Sequence, residues 1–547
     1  MWARHRLEWI IALVSAALAG GYLLAPPMGS DLAAQTARAA FFAAHGYTPI
    51  DLRWYSGVDQ LGYSLVSQPV MAVLGVRVTG ALTLVAGAVL LTVLLRRTAA
   101  ERPALGAALG VLAVAGNLIS GRVTYGLGVC FGLAALVALT QAARFRWIAG
   151  LFAALTSATS PVAGLFLGLA AAALLLSGWL PRVSRPAPDT PEHQPRRTPT
   201  LTGWLPRVSR PGPDTPRVQP ERWGGALAVG AGAAVPLAAS VLLFGDGGWM
   251  NISRTDTLHA VVTGLVVALL VPVRPIRIGA LLSSAGVLAS ALIHTPVGLN
   301  ATRLAVMFAL PVLAGYVRLS PRIVPALLVI TFWWQPPIVT NDVRDIGNPT
   351  AEAGYFTPLR DRLARETLTG RLEIPSTRDY WEAARMGDVP LARGWLRQAD
   401  IDRNPLFFTT VPGASGTGVA LTTESYRTWL TERAVQFVAV PDAELAWPGS
   451  AEAALIAAGL PYLTEVWSGE HWRLYRVSEP APIVAAPAAL VRQTAAAITL
   501  DAPAAGDIPL RVHWYRWLRA TGGAEVVRDG DGVVLRVPAA GRYTLSS

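Results

Sequence analysis

Apolar runs recur through the first 335 residues, and most are closed by arginine-rich turns. They fall near Trp9–Leu24, Val78–Leu95 and Pro103–Ile119, with a fourth ending near Ala142. After a longer stretch, Trp147–Leu176, come Gly224–Phe244, Leu258–Val273, Ile278–Ile293, Leu304–Val317 and Ile323–Trp334. A chain patterned this way cannot close into a water-soluble globule. In hydrocarbon each backbone polar group must find a partner within its own segment, so these runs are read as membrane helices.

Composition agrees. Of 547 residues 52% are hydrophobic and 15% charged, and the mean hydropathy is +0.42. The net charge of +11 comes entirely from arginine, since the chain contains no lysine. A basic protein can suggest nucleic acid. Here many arginines flank apolar spans or crowd one linker, so membrane topology explains them and no nucleic-acid partner is expected. The single cysteine, Cys130, lies inside a span, which excludes an intrachain disulfide and a cysteine metal site.

Arg4 and Arg6 precede the first span, which reads as an uncleaved signal anchor with the N-terminus in the cytoplasm. Trp147–Leu176 is too long for one simple crossing, and Ser157–Pro161 interrupts it. It reads as two broken helices with the break facing outward. The total is then about eleven crossings. Arg274, Arg277, Arg318 and Arg322 fall in the cytoplasm and the tail outside, for a multi-pass protein of the plasma membrane.

Four regions follow. Residues 1–177 form a first transmembrane half that carries an outward loop at 27–69. Residues 178–223 repeat GWLPRVSRP-x-PDTP in tandem, a Pro/Arg-rich composition expected to form a disordered cytoplasmic linker. Residues 224–335 form a second transmembrane half, and 336–547 a soluble extracytoplasmic domain. Within that domain Thr422–Arg433 and Ser450–Ala458 read as helices, and Val435–Val440, Leu463–Trp467 and Trp472–Val477 as strands. Asp529-Gly530-Asp531-Gly532 between apolar runs predicts a hairpin in a terminal antiparallel unit.

The outward loop is where chemistry concentrates. Gly29–Pro69 holds Asp31, Gln35, Arg38, His45, Asp51, Arg53, Trp54, Tyr55, Asp59, Gln60 and Tyr63. No acid sits mid-span, which argues against ion-coupled transport. Polar residues gather instead at the outer face, where Arg122, His294, Asn300 and Arg303 join the loop. Asp31 suits a general base, and equally a cap for the helix expected over Leu32–Ala44. Arg53, Arg122 and Arg303 suit phosphate, although Arg122 and Arg303 would also anchor span ends. Trp54 and Tyr55 could stack on a sugar, and Tyr63 reads as part of an interfacial belt. His294 reads as an interfacial residue before a ligand. Tyr380-Trp381-Glu382 either meets an acceptor or packs on the membrane domain.

Four short motifs carry a resemblance. They are Ser30-Asp31-Leu32-Ala33-Ala34-Gln35, Arg53-Trp54-Tyr55-Ser56-Gly57 with Gly62-Tyr63-Ser64, Ser160-Pro161-Val162-Ala163-Gly164, and Tyr380-Trp381-Glu382. With this layout the chain resembles the GT-C superfamily of membrane glycosyltransferases, in particular actinobacterial members, over most of its length except the duplicated linker. The resemblance implies a polytopic α-helical membrane protein with a C-terminal α/β plus β domain. It implies a polyprenyl-phosphate sugar donor, membrane lipid around it, and an extracytoplasmic glycan, lipid or protein acceptor. Asp31 would be the catalytic residue. Gln35, Arg53, Trp54, Tyr55, Asp59, Arg122, His294, Asn300 and Arg303 would bind substrate. The family often carries a second acid near the first loop, which here must be Asp51 or Asp59, so a divalent metal ion is a possible cofactor and no other is implied. A non-catalytic lipid or polysaccharide translocator, or a glycan-binding membrane scaffold, is the alternative.

Overall fold

The structure, a computed structural model, describes residues 5–141, 145–179, 220–335 and 339–547. The membrane part contains α1 (Arg6–Leu24), α2 (Leu32–His45), α3 (Ser67–Leu74), α4 (Val76–Arg97), α5 (Pro103–Ile119), α6 (Val123–Leu139), α7 (Arg146–Thr159), α8 (Pro161–Trp179), α9 (Pro220–Phe244), α10 (Arg254–Leu270), α11 (Arg274–Leu292), α12 (Arg303–Tyr316) and α13 (Val324–Trp334). Proline opens α5, α11 and α13 within the first two positions, where its missing N–H costs nothing. Among the described residues six helical segments are long and apolar enough to cross a membrane, and α5, α6 and α13 are shorter apolar helices. Their outer faces carry bare apolar side chains, such as Leu13, Val235 and Trp333. The expected linker, 178–223, lies outside the described residues over 180–219. At its edges α8 and α9 run two to four residues further than the sequence suggested.

Contacts between helix ends show the helices alternating in direction. On one side Asp31 N–H bonds Ser120 O, Leu65 N–H bonds Ala158 O, and Met250 N–H bonds Thr295 O. On the other, Arg96 pairs with Glu8, Arg318 with Glu101 at 2.7 Å, and Arg102 N–H bonds Gly315 O. The expected break between α7 and α8 is present. Ser160 is extended (φ −147°, ψ 110°), as the residue before a proline must be. Leu65 of the loop takes up the Ala158 carbonyl, so the break lies on the Asp31 side.

The tail sits on that same side. A short β1 (Ile50–Asp51) pairs with β2 (Val58–Asp59) inside the loop. β3 (Arg371–Glu373), β4 (Val435–Pro441), β5 (Leu463–Ser468) and β6 (Trp472–Val477) form a sheet of order β3-β4-β6-β5, with β3 and β4 parallel. The helix Thr423–Glu432 before β4 opens with a capping box between Thr422 and Ser425. A β sandwich ends the chain: β7 (Ala489–Gln493), β8 (Ala497–Ala502), β9 (Gly506–Leu510), β10 (Arg519–Ala520), β11 (Glu525–Asp529), β12 (Gly532–Val537) and β13 (Gly541–Ser546). Its sheets run β10-β13-β8-β7 and β11-β12-β9. The predicted hairpin is β11–β12.

The loop is wedged between these layers. Leu32, Ala33, Ala37, Trp54 and Tyr55 share one core with Phe356, Trp381, Phe437 and Trp472 of the tail. Ile50 and Leu52 belong to the core of the sandwich.

Candidate active site

Two glycines decide where Asp31 stands. Gly29 has φ +109°, and a Cβ there would lie 2.7 Å from Gly121 N. Gly121 has φ +71°, and its Cβ would lie 2.6 Å from Leu32 N. Only glycine permits both the backbone angle and the approach. The turn that enters α2 and the α5–α6 turn therefore touch backbone to backbone, joined by Asp31 N–H to Ser120 O at 3.1 Å. This sets the Asp31 carboxylate beside Arg122. Arg303, the first residue of α12, closes the set from a third segment.

The geometry is compact. Asp31 Oδ2 lies 3.5 Å from Arg122 Nε and 3.5 Å from Arg303 Nη2, both long for an ion pair. The three side chains are 14%, 26% and 21% exposed, so the carboxylate stays reachable. Arg122 Nε is buried and donates no hydrogen bond. Asp31 stands at the N-cap position of α2, yet its side chain accepts no cap bond. The capping role is therefore not what holds this side chain. The Arg303 guanidinium lies 5.4 Å from the Tyr125 ring centroid. Tyr125 and Leu304 also line a cavity of 1410 Å³ that runs down between α4, α6, α8 and α12.

Of the other expected residues, some join this centre. Gln35, one turn along α2, donates to Tyr63 Oη at 2.7 Å and accepts from Thr124 Oγ1 at 2.6 Å. Asn300 is buried in the short turn before Arg303, with its Nδ2 3.3 Å from Met250 Sδ. Others do not. Arg53 is locked to Asp51, with Nε 3.0 Å from Oδ1 and Nη2 2.6 Å from Oδ2, and is not free for phosphate. Trp54 is wholly buried against Gly394, where a Cβ would meet Trp54 Cγ at 2.7 Å. Tyr55 is equally buried and donates to Gly394 O, so neither ring can stack on a sugar. Asp59 is buried, accepts from Gly62 N–H at 2.8 Å, and is pushed up to about 8 by burial and by the neighbouring Asp246. That is a poor second acid for the site. His294 is exposed and stacked on Trp249 at 4.1 Å, away from the Asp31 contacts. Tyr63 is not in an interfacial belt: the Arg38 guanidinium lies 4.0 Å from its ring. Trp381 and Glu382 are buried and pack, rather than meeting an acceptor.

The donor set does not fit a divalent cation. Asp31 is flanked by two guanidiniums, which repel one, and among the described residues no group of three or more acidic, His or Cys side chains could hold a metal.

The sequence reading missed Asp342. Its Oδ1 accepts from Ser30 N–H at 3.0 Å and its Oδ2 from Ser120 Oγ at 2.7 Å, so the tail grips both touching backbones. Trp395 Nε1 adds a bond to Ser30 O at 3.1 Å. The nearest signal was an acid soon after the last span. Nothing in the pattern linked it to a loop 312 positions earlier.

No family model matches the chain, and no curated protein matches it in sequence. Among solved structures it is similar to the arabinofuranosyltransferase AftD from Mycobacteria (16% identity, TM-score 0.46), over 87% of this chain and 40% of that one. A mutant of AftD aligns over 99% of this chain and 60% of its own length, at 13% identity and TM-score 0.44. The Archaeoglobus fulgidus oligosaccharyltransferase tethered to an acceptor peptide aligns at 11% identity and TM-score 0.42, over 80% of this chain and 70% of that one. The chain thus spans 40% to 60% of the AftD chains, less than two thirds of either. These likenesses assign no residue a role.

Proposed function

We propose that this chain is a membrane glycosyltransferase of GT-C type that moves a sugar from a polyprenyl-phosphate donor to an extracytoplasmic glycan, lipid or protein acceptor. One observation carries the reading. A partly exposed carboxylate stands between two arginines, one with an unused buried N–H, at the rim of an apolar cavity set among membrane helices.

The chemistry follows from those groups. The donor's apolar tail lies in the cavity, and its phosphate oxygens meet Arg122 and Arg303, whose forked donors match them. The acceptor hydroxyl approaches Asp31, which takes its proton as the oxygen attacks the anomeric carbon. The bond from that carbon to the phosphate oxygen breaks. The charge left on the lipid phosphate is met by the same two guanidiniums. Direct displacement of this kind inverts the anomeric centre. Gln35 and Asn300 orient α2 and Arg303 and take no part in bond making. The donor set around Asp31 suits this route without a metal.

The test is Asp31→Asn, assayed with a radiolabelled polyprenyl-phosphate sugar in detergent. Because the side chain caps nothing, folding should be unchanged while transfer falls at least ~100-fold, the low end of what a general base supplies. Transfer within a few-fold of wild type would remove Asp31 as the base. An absence of transfer in the wild type across donors would favour a translocator or scaffold.

A further inference from the structure

Tyr63 lies in the loop between β2 and α3, and two neighbours fix its ring. The Arg38 guanidinium sits 4.0 Å from the ring centroid, and the Trp395 ring meets it edge-on at 6.3 Å and 89°. Arg38 is buried and tied through Nη1 to Gln60 Oε1 at 2.9 Å. Trp395 holds Ser30 O through Nε1. The ring is thus anchored on either side of Asp31 in the chain, to α2 after it and to Ser30 before it.

Hydrogen bonds give the hydroxyl a direction. Thr124 spends its proton on Gln35 Oε1 at 2.6 Å, so Ser67 Oγ, 2.8 Å away, donates to Thr124. The Gln35 amide then donates to Tyr63 Oη at 2.7 Å. Donation runs one way, from Ser67 through Thr124 and Gln35 to Tyr63. The phenol proton is what remains, and among the described residues it goes to no acceptor. Burial pushes the phenol above its ordinary range, so the hydroxyl keeps that proton at neutral pH. The charged groups that act on it are Arg38, Asp31 and Arg303. Two of these three belong to the centre described above. Tyr63 is half-buried, so a ligand at that centre can reach it.

We propose that Tyr63 is a third phosphate-binding residue of the Asp31 centre, its hydroxyl donating to an oxygen of the polyprenyl phosphate that Arg122 and Arg303 also hold. The assignment rests on the glycosyltransferase reading and adds a residue to it. Arg122 Nε, the Arg303 guanidinium and the Tyr63 hydroxyl are all donors, brought by three separate segments. An anion whose oxygens carry no hydrogen is the ligand that uses all three. The hydroxyl differs from the two guanidiniums in carrying no charge. A third cation beside Asp31 would favour its ionised form further and make it a weaker base. A neutral donor adds phosphate affinity without that cost to proton transfer.

The experiment titrates the purified full chain, in a neutral detergent, with polyprenyl phosphate and with polyprenol, the same lipid without its phosphate. Binding is read by native mass spectrometry and by the shift in thermal unfolding. Wild type should prefer the phosphate. Tyr63→Phe keeps the ring and its contacts with Arg38 and Trp395. It should bind polyprenyl phosphate about tenfold or more weakly, as expected for losing a hydrogen bond to a charged group, with polyprenol binding unchanged. Equal weakening toward both lipids would mean that Tyr63 only packs, and would overturn the assignment. Phosphate binding that falls in Arg122→Gln but not in Tyr63→Phe would remove Tyr63 and leave the glycosyltransferase reading standing. Equal affinity of the wild type for the two lipids would remove the phosphate site itself, and both readings with it. If Tyr63→Phe does not fold, replacing Tyr63 with difluorotyrosine decides the matter. Fluorine makes the phenol more acidic, so the donated proton, and phosphate binding with it, should be lost at a lower pH than in wild type. An unshifted alkaline limb would overturn the proposal.

Discussion

Asp342→Ala tests how the tail builds the Asp31 centre. The carboxylate is buried and accepts two hydrogen bonds, 3.0 Å from Ser30 N and 2.7 Å from Ser120 Oγ. Removing it strands the part-buried Ser30 N–H and the buried Ser120 hydroxyl; once the hydroxyl turns to another acceptor one donor stays unpaired, so about 1–3 kcal/mol of local stability should go. The larger effect is on rate. Ser30 and Ser120 sit next to the backbones that carry Asp31 and Arg122, and a shift of about 1 Å in a reacting group can cost ~100-fold. In the radiolabelled-donor assay kcat should fall about 10- to 100-fold, with KM for donor within a few-fold. Asp342→Asn keeps an acceptor for Ser30 N–H and should recover part of the loss. The decisive comparison is with Asp31→Asn. If Asp342 acts through Asp31, the double variant should transfer no worse than Asp31→Asn alone, because interacting residues are non-additive. Two full, multiplying penalties would show that Asp342 only stabilises the fold. Wild-type transfer in Asp342→Ala would refute the clamp.

Two further outcomes follow from the structure. Burial and the neighbouring Asp345 push Asp379 up to about 9, so the folded chain keeps a proton that the unfolded chain has lost. That group's contribution falls as pH rises from about 4 toward 9, so the stability of Asp379→Asn relative to wild type should improve from about pH 5 to about pH 9. A pH-independent difference between the two melting curves would refute it. For topology, the sole native cysteine, Cys130, is buried. Exposed Ser450→Cys should therefore label with an impermeant thiol reagent on intact cells, and exposed Ser320→Cys should not. The reverse pattern would invert the membrane orientation.

Much of the helical architecture was legible because hydropathy acts locally. The bounds of α5 were read to the residue, and the break at Ser160-Pro161 follows from what proline does to the residue before it. The helix start at Thr422 and the Gly530 hairpin were equally local signals. The site was legible only in part. Asp31, Arg122 and Arg303 each sit at a span end, where sequence can place them. Arg53, Trp54 and Tyr55 look just as functional in the loop, but the tail covers them, and no local pattern reports that. Asp342 was missed for the same reason. What it does depends on a segment 312 positions away.

That separation has a consequence in time. A ribosome adds about 5–20 residues per second. Trp395 follows Ser30 by 365 positions, so about 20–70 s pass between synthesis of the loop and of the indole that holds it. By then α1 through α13 have all been translated, while the Asp31 loop still lacks its grip. The contacts that fix the Asp31 loop are therefore the last to form, completed only when the tail has been made.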